Sequence, residues 1–278
     1  MLPKEHLSEQ VSTEELLGIL QQIKDSSDKE FPVNSSDYFE KVNSVMWPEL
    51  LQNDKESFSS ALYFLSDLAI EDPNSRKGLF ASNILINLSV KEFGDNGVSM
   101  QKLLEQADLI EVFMNAMYAT VIRDVRVVEP SNSDLAMTVC RNFGNRYHME
   151  AIQRVCNTVK NRSTSVDDVR RLLSGVIAKD INEEIEAYID GRNKELLEIE
   201  IDTLLELAED PDVNIRSYAI SFLGSIFFHY GCDNENRTVY QTINTKLRNK
   251  IKSVLENRKN DDSRKVVSFA IKVLKGIE

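Results

Sequence analysis

The chain has 278 residues, 42% of them hydrophobic, and its 33 basic and 45 acidic residues give a formal net charge of −12. This length and apolar content are sufficient for an extended core, so the composition excludes a disordered chain. The acidic excess disfavours nucleic acid as the main ligand, because binding a phosphate backbone needs a cationic stripe. No window is apolar enough to span a membrane, and the first ten residues lack the basic start and apolar core of a signal peptide. We therefore expect a cytoplasmic protein, with a nuclear location as the alternative, and no membrane contact.

Helical periodicity with short turns runs through the chain, and hardly any strand is predicted. Near the start, Ser12 to Glu15 form a capping box that opens a helix with an apolar side at Leu16, Leu17, Leu20 and Ile23. A polar link follows. The segment 38–46 is then predicted to be helical up to Trp47-Pro48, and the next helix carries an apolar stripe at Phe58, Leu62, Leu65, Leu68 and Ala69.

The middle of the chain contains the clearest turn signals. The run 94–97, Gly-Asp-Asn-Gly, predicts a tight turn, and Ser99 then caps a short helix before the helical segment 109–122. The segment 123–133 is the longest loop candidate. Long loops often carry function but are also tolerated in repeat proteins, so both roles stay open for it.

The segment 204–226 predicts two helices joined by a tight turn. Leu204, Leu205, Leu207 and Ala208 form an apolar stripe that ends at Asp210-Pro211, where proline stops the helix. The next helix, capped by Asp212, carries a second stripe at Ile215, Ala219, Phe222, Leu223 and Ile226. One such hairpin cannot bury both stripes by itself, so neighbouring hairpins must stack on it.

Within this hairpin, the pattern Asp212, Arg216, Ala219, Leu223 and Gly224 resembles a HEAT repeat. The resemblance implies that Arg216 reaches an acidic or carbonyl group of the preceding turn or of the adjacent repeat. Asp212 is the nearest candidate for this contact.

The same spacing recurs elsewhere in the chain. Proline, alanine and leucine have equal separations in Pro73…Ala81…Leu85 and in Pro211…Ala219…Leu223, and Ala136 and Ala270 occupy similar places. The alanines are 55, 83 and 51 residues apart. Because such repeats run at roughly 40–47 residues, we interpret the middle gap as two units, with a degenerate unit inside 166–186.

A second resemblance concerns the helices around Ala81 and Ala136. Asn87 and Asn142 each follow the alanine by six residues, and both segments are similar to the inner helix of armadillo repeats. In that family this asparagine lies on the concave face and hydrogen-bonds an extended peptide, so the resemblance implies this role for Asn87 and Asn142. Nuclear-import carriers have Trp four positions earlier, where this chain has Asn83 and Thr138, and the later repeats carry Ser225 and Gly276 instead of Asn. The alternative is that Asn87 and Asn142 bond to backbone inside the stack.

Charge is distributed unevenly along the chain. Residues 246–278 carry a net charge of +6, whereas the 33 residues 180–212 carry −11. One interpretation is that these are solvated faces, with the basic end capping the stack or pairing with the acidic segment. The other is that the acidic face attracts a basic partner while the terminal helix binds an anionic one. On the second interpretation Lys246 and Lys250 belong to a binding site.

No catalytic or metal-binding pattern is found. The histidines are dispersed and lie in no zinc-protease or carboxylate-bridged metal motif, and there is no phosphate-binding glycine loop. Three cysteines, Cys140, Cys156 and Cys232, are too few for a disulfide framework and are expected to be core thiols. We therefore predict no cofactor, no metal and no enzymatic activity.

These observations predict an all-α protein, a right-handed α-α superhelix of about five armadillo/HEAT-like units. A single solenoid domain is expected over 1–278, with a helical cap at 1–55, repeats at 56–245 and a basic capping unit at 246–278. Its predicted function is a scaffold or adaptor that binds a protein or peptide, with oligomeric state undetermined. The predicted contact residues are Asn83, Asn87, Arg141, Asn142, Arg146, Lys246 and Lys250. A HEAT-like nucleic-acid repair or binding protein and an armadillo-type Hsp70 co-chaperone are the alternatives.

Overall fold

A computed structural model describes residues 11–26, 36–71, 75–93, 97–123, 132–161, 164–228 and 238–277. Helices dominate these residues, and the strands among them are two residues long. The chain divides into two compact units, one with the described residues between 11 and 148 and the other with those between 149 and 277. Within the described ranges, no helix is long and apolar enough to cross a bilayer.

The first unit consists of helices and one short hairpin. Its helices are α1 (Thr13–Asp25), α2 (Ser36–Ser44), α3 (Trp47–Asn53), α4 (Lys55–Glu71), α5 (Arg76–Ser89), α6 (Met100–Ala107), α7 (Ile110–Arg123) and α8 (Asn132–Phe143). Between α5 and α6, strands β1 (Glu92–Phe93) and β2 (Val98–Ser99) pair antiparallel, at the place where the sequence predicts a turn.

The helices of the first unit pack in two rows. In one row α4 lies between α1 and α7, and in the other α5 lies between α2 and α8. The rows are joined through the hairpins α4–α5 and α7–α8. Short helices precede both hairpins, so α3–α4–α5 and α6–α7–α8 are successive three-helix repeats. Their core includes Phe58, Leu62, Ala81, Leu85 and Ala136, all of them 0% exposed.

The second unit continues from α9 (Asn145–Lys160), whose first four residues belong to the first unit. It then contains α10 (Val166–Leu172), a π-helical turn (Leu173–Ile177), α11 (Ala178–Glu183), α12 (Ile185–Ile189), α13 (Lys194–Leu207), α14 (Val213–Phe228), α15 (Val239–Thr242), α16 (Thr245–Arg258) and α17 (Arg264–Ile277).

Two helical hairpins, α13–α14 and α16–α17, stack on each other in the second unit. Helix α14 packs against α17 on one side and against α10 and α11 on the other, while α13 contacts α16. The helical segment over Val166–Glu183 therefore supplies the degenerate unit that the alanine spacing predicted. Ala219 and Ala270, the two alanines that align these hairpins, are 0% exposed.

The prediction of an all-α fold built from repeated helical hairpins is confirmed. The right-handed superhelix, the single continuous solenoid and the boundaries of cap, repeats and capping unit stay predictions. Two local details differ. Leu17 is 37% exposed and Ile19 is buried in its place. Trp47 and Pro48 begin α3, because proline is well tolerated in the first turn of a helix.

Candidate partner-binding faces

Helices α5 and α8 carry polar residues at matching offsets from their aligned alanines. Ala81 and Ala136 point into the core. Asn83 on α5 and Thr138 on α8 lie two residues after these alanines. Asn87 and Asn142 lie six residues after them. Asn83, Thr138 and Asn142 are exposed and Asn87 is half-buried. Because α5 and α8 pack side by side, these four side chains form one polar surface of the first unit, which we call the amide face.

The two asparagines predicted to bind a peptide differ in their contacts. The Nδ2 group of Asn87 donates to Oδ1 of Asn43 on α2, at 2.5 Å. Asn142 makes no side-chain hydrogen bond to any residue that the structure describes. The neighbouring Thr138 donates its hydroxyl to the carbonyl oxygen of Asp134 within its own helix. Asn87 therefore braces α5 against α2 through a side-chain contact, not through the backbone bond that the alternative interpretation expected, while the Asn142 amide stays open to solvent.

The two predicted arginines lie near the end of the amide face. Arg141 is half-buried in the last turn of α8. Arg146, at the start of α9, has a side chain that is 77% exposed and pairs with Glu111 at 2.8 Å. Its guanidinium also lies 5.5 Å from the ring centre of Tyr147. An exposed pair of this kind holds its partner weakly, so Arg146 can exchange Glu111 for another anion.

In the second unit, the Arg216 brace is confirmed, but the predicted partner is wrong. Nη1 donates to the carbonyl oxygens of Asp210 and Pro211, both at 2.9 Å. Nη2 donates to Asp261 at 2.9 Å and to Asp262 at 2.7 Å, so the guanidinium bridges the turns of two hairpins. Asp212 instead accepts from the backbone N–H groups of Asn214 and Ile215, because it caps α14.

The ion pair shifts the acid–base behaviour of both partners. Burial by itself would raise the pKa of Asp261, but hydrogen bonds from Arg216 and from the Ser263 backbone N–H favour the carboxylate and hold the pKa well below its usual range. The hydrogen bond to Asp261 likewise raises the pKa of Arg216. Arg258 adds a second cation at 3.0 Å from Asp261. The function of this cluster is structural, since only 2% of the Asp261 side chain is exposed.

A second buried polar cluster lies in the second unit around Tyr188. Its hydroxyl donates to Oε2 of Glu200 at 3.0 Å, and both residues are 0% exposed. Burial, followed by the charges of Glu200 and Asp180, raises the pKa of Tyr188 far above its normal value. Burial also raises the pKa of the nearby Cys156 thiol to about 12. The Tyr188 hydroxyl and the Cys156 thiol therefore keep their protons at neutral pH, and neither is an activated nucleophile.

The predicted lysines of α16 lie on its solvated sides, and its buried side consists of Leu247, Ile251, Val254 and Leu255. Lys250 pairs with Asp202 of α13 at 2.7 Å. Lys246 is exposed. One interpretation of the charge pattern was that the basic end pairs with the acidic segment. Lys250 makes such a pair.

No group of three or more His, Cys, Asp or Glu side chains in the described ranges is placed to hold a metal ion. Cys140 and Cys156 are buried free thiols, as predicted, and Cys232 lies outside the described residues. Most of the 123–133 loop candidate also lies outside them.

Neither a protein-family model nor a curated protein sequence matches the chain. Solved structures with a similar arrangement of helices include a designed armadillo repeat protein, with 17% identity over 95% of this chain and all of that one, at a TM-score of 0.38. A second designed armadillo repeat protein, in complex with the peptide (KR)4, has 15% identity over 95% of this chain and all of that one, also at 0.38. An engineered protein has 12% identity over 94% of this chain and 96% of that one, again at 0.38. These likenesses decide nothing about what this chain binds.

Proposed function

We propose that the chain is a non-enzymatic scaffold or adaptor that binds an extended protein segment on the amide face of the first unit. The observation that carries the proposal is the exposed, matching stripe on α5 and α8, with Asn83 and Asn142 open to solvent. An amide offers both a donor and an acceptor, so a row of amides pairs with the backbone of an extended chain whatever its side chains are.

The charges around this face indicate the kind of segment. Arg141 and Arg146 stand at one end of it, next to the exposed carboxylate of Glu111. A bound segment with a carboxylate at this end can replace Glu111 as the ion-pair partner of Arg146. The amides in the middle of the face hydrogen-bond to backbone groups, so they do not select a sequence. Binding at the amides and at Arg146 involves no chemical reaction. The groups present there are amides, guanidinium groups and a hydroxyl that is hydrogen-bonded within its own helix. Association is expected to be salt-sensitive because both arginines are close to solvent.

The experiment is selection of peptides from a random displayed library on the full chain, followed by hydrogen–deuterium exchange with one enriched peptide. The proposal expects slower exchange in α5 and α8, with α13 and α16 unchanged as internal references. Protection confined to other helices would contradict the proposed face. Failure to enrich any peptide would contradict the scaffold proposal itself.

A further inference from the structure

A separate open groove lies in the second unit, between α14 and α17. It has a volume of about 420 Å3 and is lined by Ser221, Gly224 and Ser225 of α14 and by Phe269, Lys272, Val273, Lys275 and Gly276 of α17. Ser225 and Gly276 occupy the two positions at which α5 and α8 carry Asn87 and Asn142, six residues after the aligned alanine. Small residues at these positions leave room between the helices instead of filling it with amides.

Helices α14 and α17 approach each other closely at one point of the groove lining. A Cβ atom added to Gly224 would lie 3.0 Å from a methyl group of Val273, so the two helices already touch there. Phe269 of α17 supplies an aromatic ring to the lining, and α14 supplies the side chains of Ser221 and Ser225. The Ser225 hydroxyl donates to the Ser221 carbonyl oxygen at 3.2 Å and keeps its acceptor capacity. The shape fits an apolar side chain inserted between the helices, with hydroxyl groups beside it for the adjoining backbone.

The charged residues that line the groove, Lys272 and Lys275, are both basic. Helices α14 and α17 contain no acidic residue, in a chain with a net charge of −12. Lys265, Lys272 and Lys275 are exposed, and none of them pairs with an acid within the described ranges. Of the acids that flank α17 in sequence, Asp261 and Asp262 are bound to Arg216 at the other end of the helix, and Glu278 lies outside the described residues. Charges beyond about 8 Å are screened at physiological salt, so a bound segment meets these lysines rather than the acidic total.

The aromatic rings beside the groove already carry cations. The Lys265 ammonium lies 5.5 Å from the ring centre of Tyr218 and 6.0 Å from that of Phe269, and the Arg170 guanidinium lies 5.9 Å from Tyr218. Nucleic acid would need open ring faces for base stacking and several phosphate contacts along a track. Three lysines around a pocket for an apolar side chain suit an acidic peptide better.

We propose that this groove binds an acidic peptide segment that inserts one apolar side chain between α14 and α17. The lysines attract the acidic segment electrostatically, and the inserted side chain fixes its register along the groove. The proposal rests on the proposed scaffold function and adds a second site with its own ligand chemistry. It differs from the amide face in that charge and one anchoring side chain, rather than amide pairing, select the ligand.

The test uses the full chain and a fluorescein-labelled twelve-residue peptide of Asp, Glu, Gly and Ser with one central Leu. We expect measurable binding that weakens at least about tenfold in the double variant Lys272→Glu/Lys275→Glu, because two attractive contacts become repulsive. The control variant, Lys55→Glu/Lys252→Glu, makes the same charge change at exposed lysines that do not line the groove and should bind like the wild type. Equal loss in both variants would overturn the proposal.

Two further probes separate the groove from general attraction of anions. Replacing the central Leu by Ser should weaken binding as well, and equal affinity of the two peptides would contradict insertion into the groove. Tighter binding of a twelve-nucleotide thymidine strand with the same lysine dependence would overturn the choice of a peptide. Melting temperature should change little in both lysine variants. If instead Lys272→Glu/Lys275→Glu melts early while binding is kept, the lysines only stabilise the end of α17.

Failure of this proposal and failure of the scaffold proposal give different results. If the acidic peptide does not bind but library peptides protect α5 and α8, only the groove is wrong. If the acidic peptide binds and α5 and α8 are never protected, the amide face is wrong and the groove stands by itself.

Discussion

Arg216 and Asp261 form a buried ion pair that joins the turn before α14 to the turn before α17. The side chains are 8% and 2% exposed, and Nε of Arg216 lies 2.9 Å from Oδ2 of Asp261. The pair holds two stacked hairpins at a fixed spacing, and the groove between α14 and α17 depends on that spacing.

Replacing Arg216 by Ala should therefore destabilise the protein strongly. The change leaves the Asp261 carboxylate buried without its main partner, and breaking a buried pair in this way costs about 3–5 kcal/mol. The free energy of unfolding from urea titration checks it. Arg192→Ala is the control, because that side chain is 67% exposed and 3.6 Å from Asp190, and it should cost less than about 1 kcal/mol. A loss below 1 kcal/mol for Arg216→Ala would contradict the brace.

The same pair predicts a pH dependence. The folded-state pKa of Asp261 is lowered, so its contribution is fully present above the unfolded pKa of about 4 and is lost as pH falls below that value. The difference in unfolding free energy between wild type and Asp261→Asn should be largest above pH 5 and shrink towards pH 3. A difference that is constant over this range, or that grows in acid, would show that the charge of Asp261 does not stabilise the fold.

The helices and repeats can be predicted from the sequence because the residues that define each repeat lie close together along the chain. The stripes of α13 and α14, the Asp210-Pro211 stop and the Asp212 cap lie within a short segment, and the structure has all of them. The partner of Arg216 could not be found in this way, because Asp261 is 45 residues away and stands next to Arg216 only after the hairpins stack.

The candidate faces are predictable only in part. Equal offsets from Ala81 and Ala136 place Asn87 and Asn142 on matching positions, but they do not show that α2 brings Asn43 to Asn87. The groove of the second unit was also missed. Its signal was present in the absence of acids from α14 and α17 and in the small residues Ser225 and Gly276, which the sequence analysis noted only as departures from asparagine.

Tyr188→Phe should remove one buried hydrogen bond and little volume. Oε2 of Glu200 would lose the Tyr188 hydrogen bond inside the core, at a cost of about 1–3 kcal/mol. Tyr63→Phe is the matched control, because Tyr63 is 47% exposed. Its free energy of unfolding should stay within about 0.5 kcal/mol of the wild-type value. Equal stability of both variants would mean that the Tyr188 hydroxyl does not stabilise Glu200.

Lys250→Glu should have a small effect on stability, below about 1 kcal/mol, since the pair with Asp202 is close to half exposed on both sides. If Lys246 and Lys250 bind an anionic partner, Lys246→Glu/Lys250→Glu should abolish a salt-sensitive interaction without lowering the melting temperature. Binding that is unchanged across the peptides selected on the full chain would leave these lysines as a solubilising cap.

The Cys156 thiol should resist alkylation in the folded protein. Its pKa is raised to about 12 by burial, so only a minute fraction is thiolate at pH 8. Iodoacetamide treatment followed by peptide mass mapping should show slow labelling at Cys156 in buffer and rapid labelling in urea. Rapid labelling without urea would show that this core opens readily.

The affinity of a library-selected peptide for Asn142→Ala tests the proposed amide face most directly. Because the Asn142 amide is exposed and bonded to no described residue, its loss should leave the melting temperature unchanged and weaken binding by about 1 kcal/mol. The double variant Asn87→Ala/Asn142→Ala should weaken it by roughly 1–3 kcal/mol, with a small stability loss from the broken Asn43 contact. Asn157→Ala, at an exposed asparagine on α9, is the control and should bind like the wild type. Wild-type affinity in both amide-face variants, with early melting of the double variant, would show that these asparagines only brace the helices.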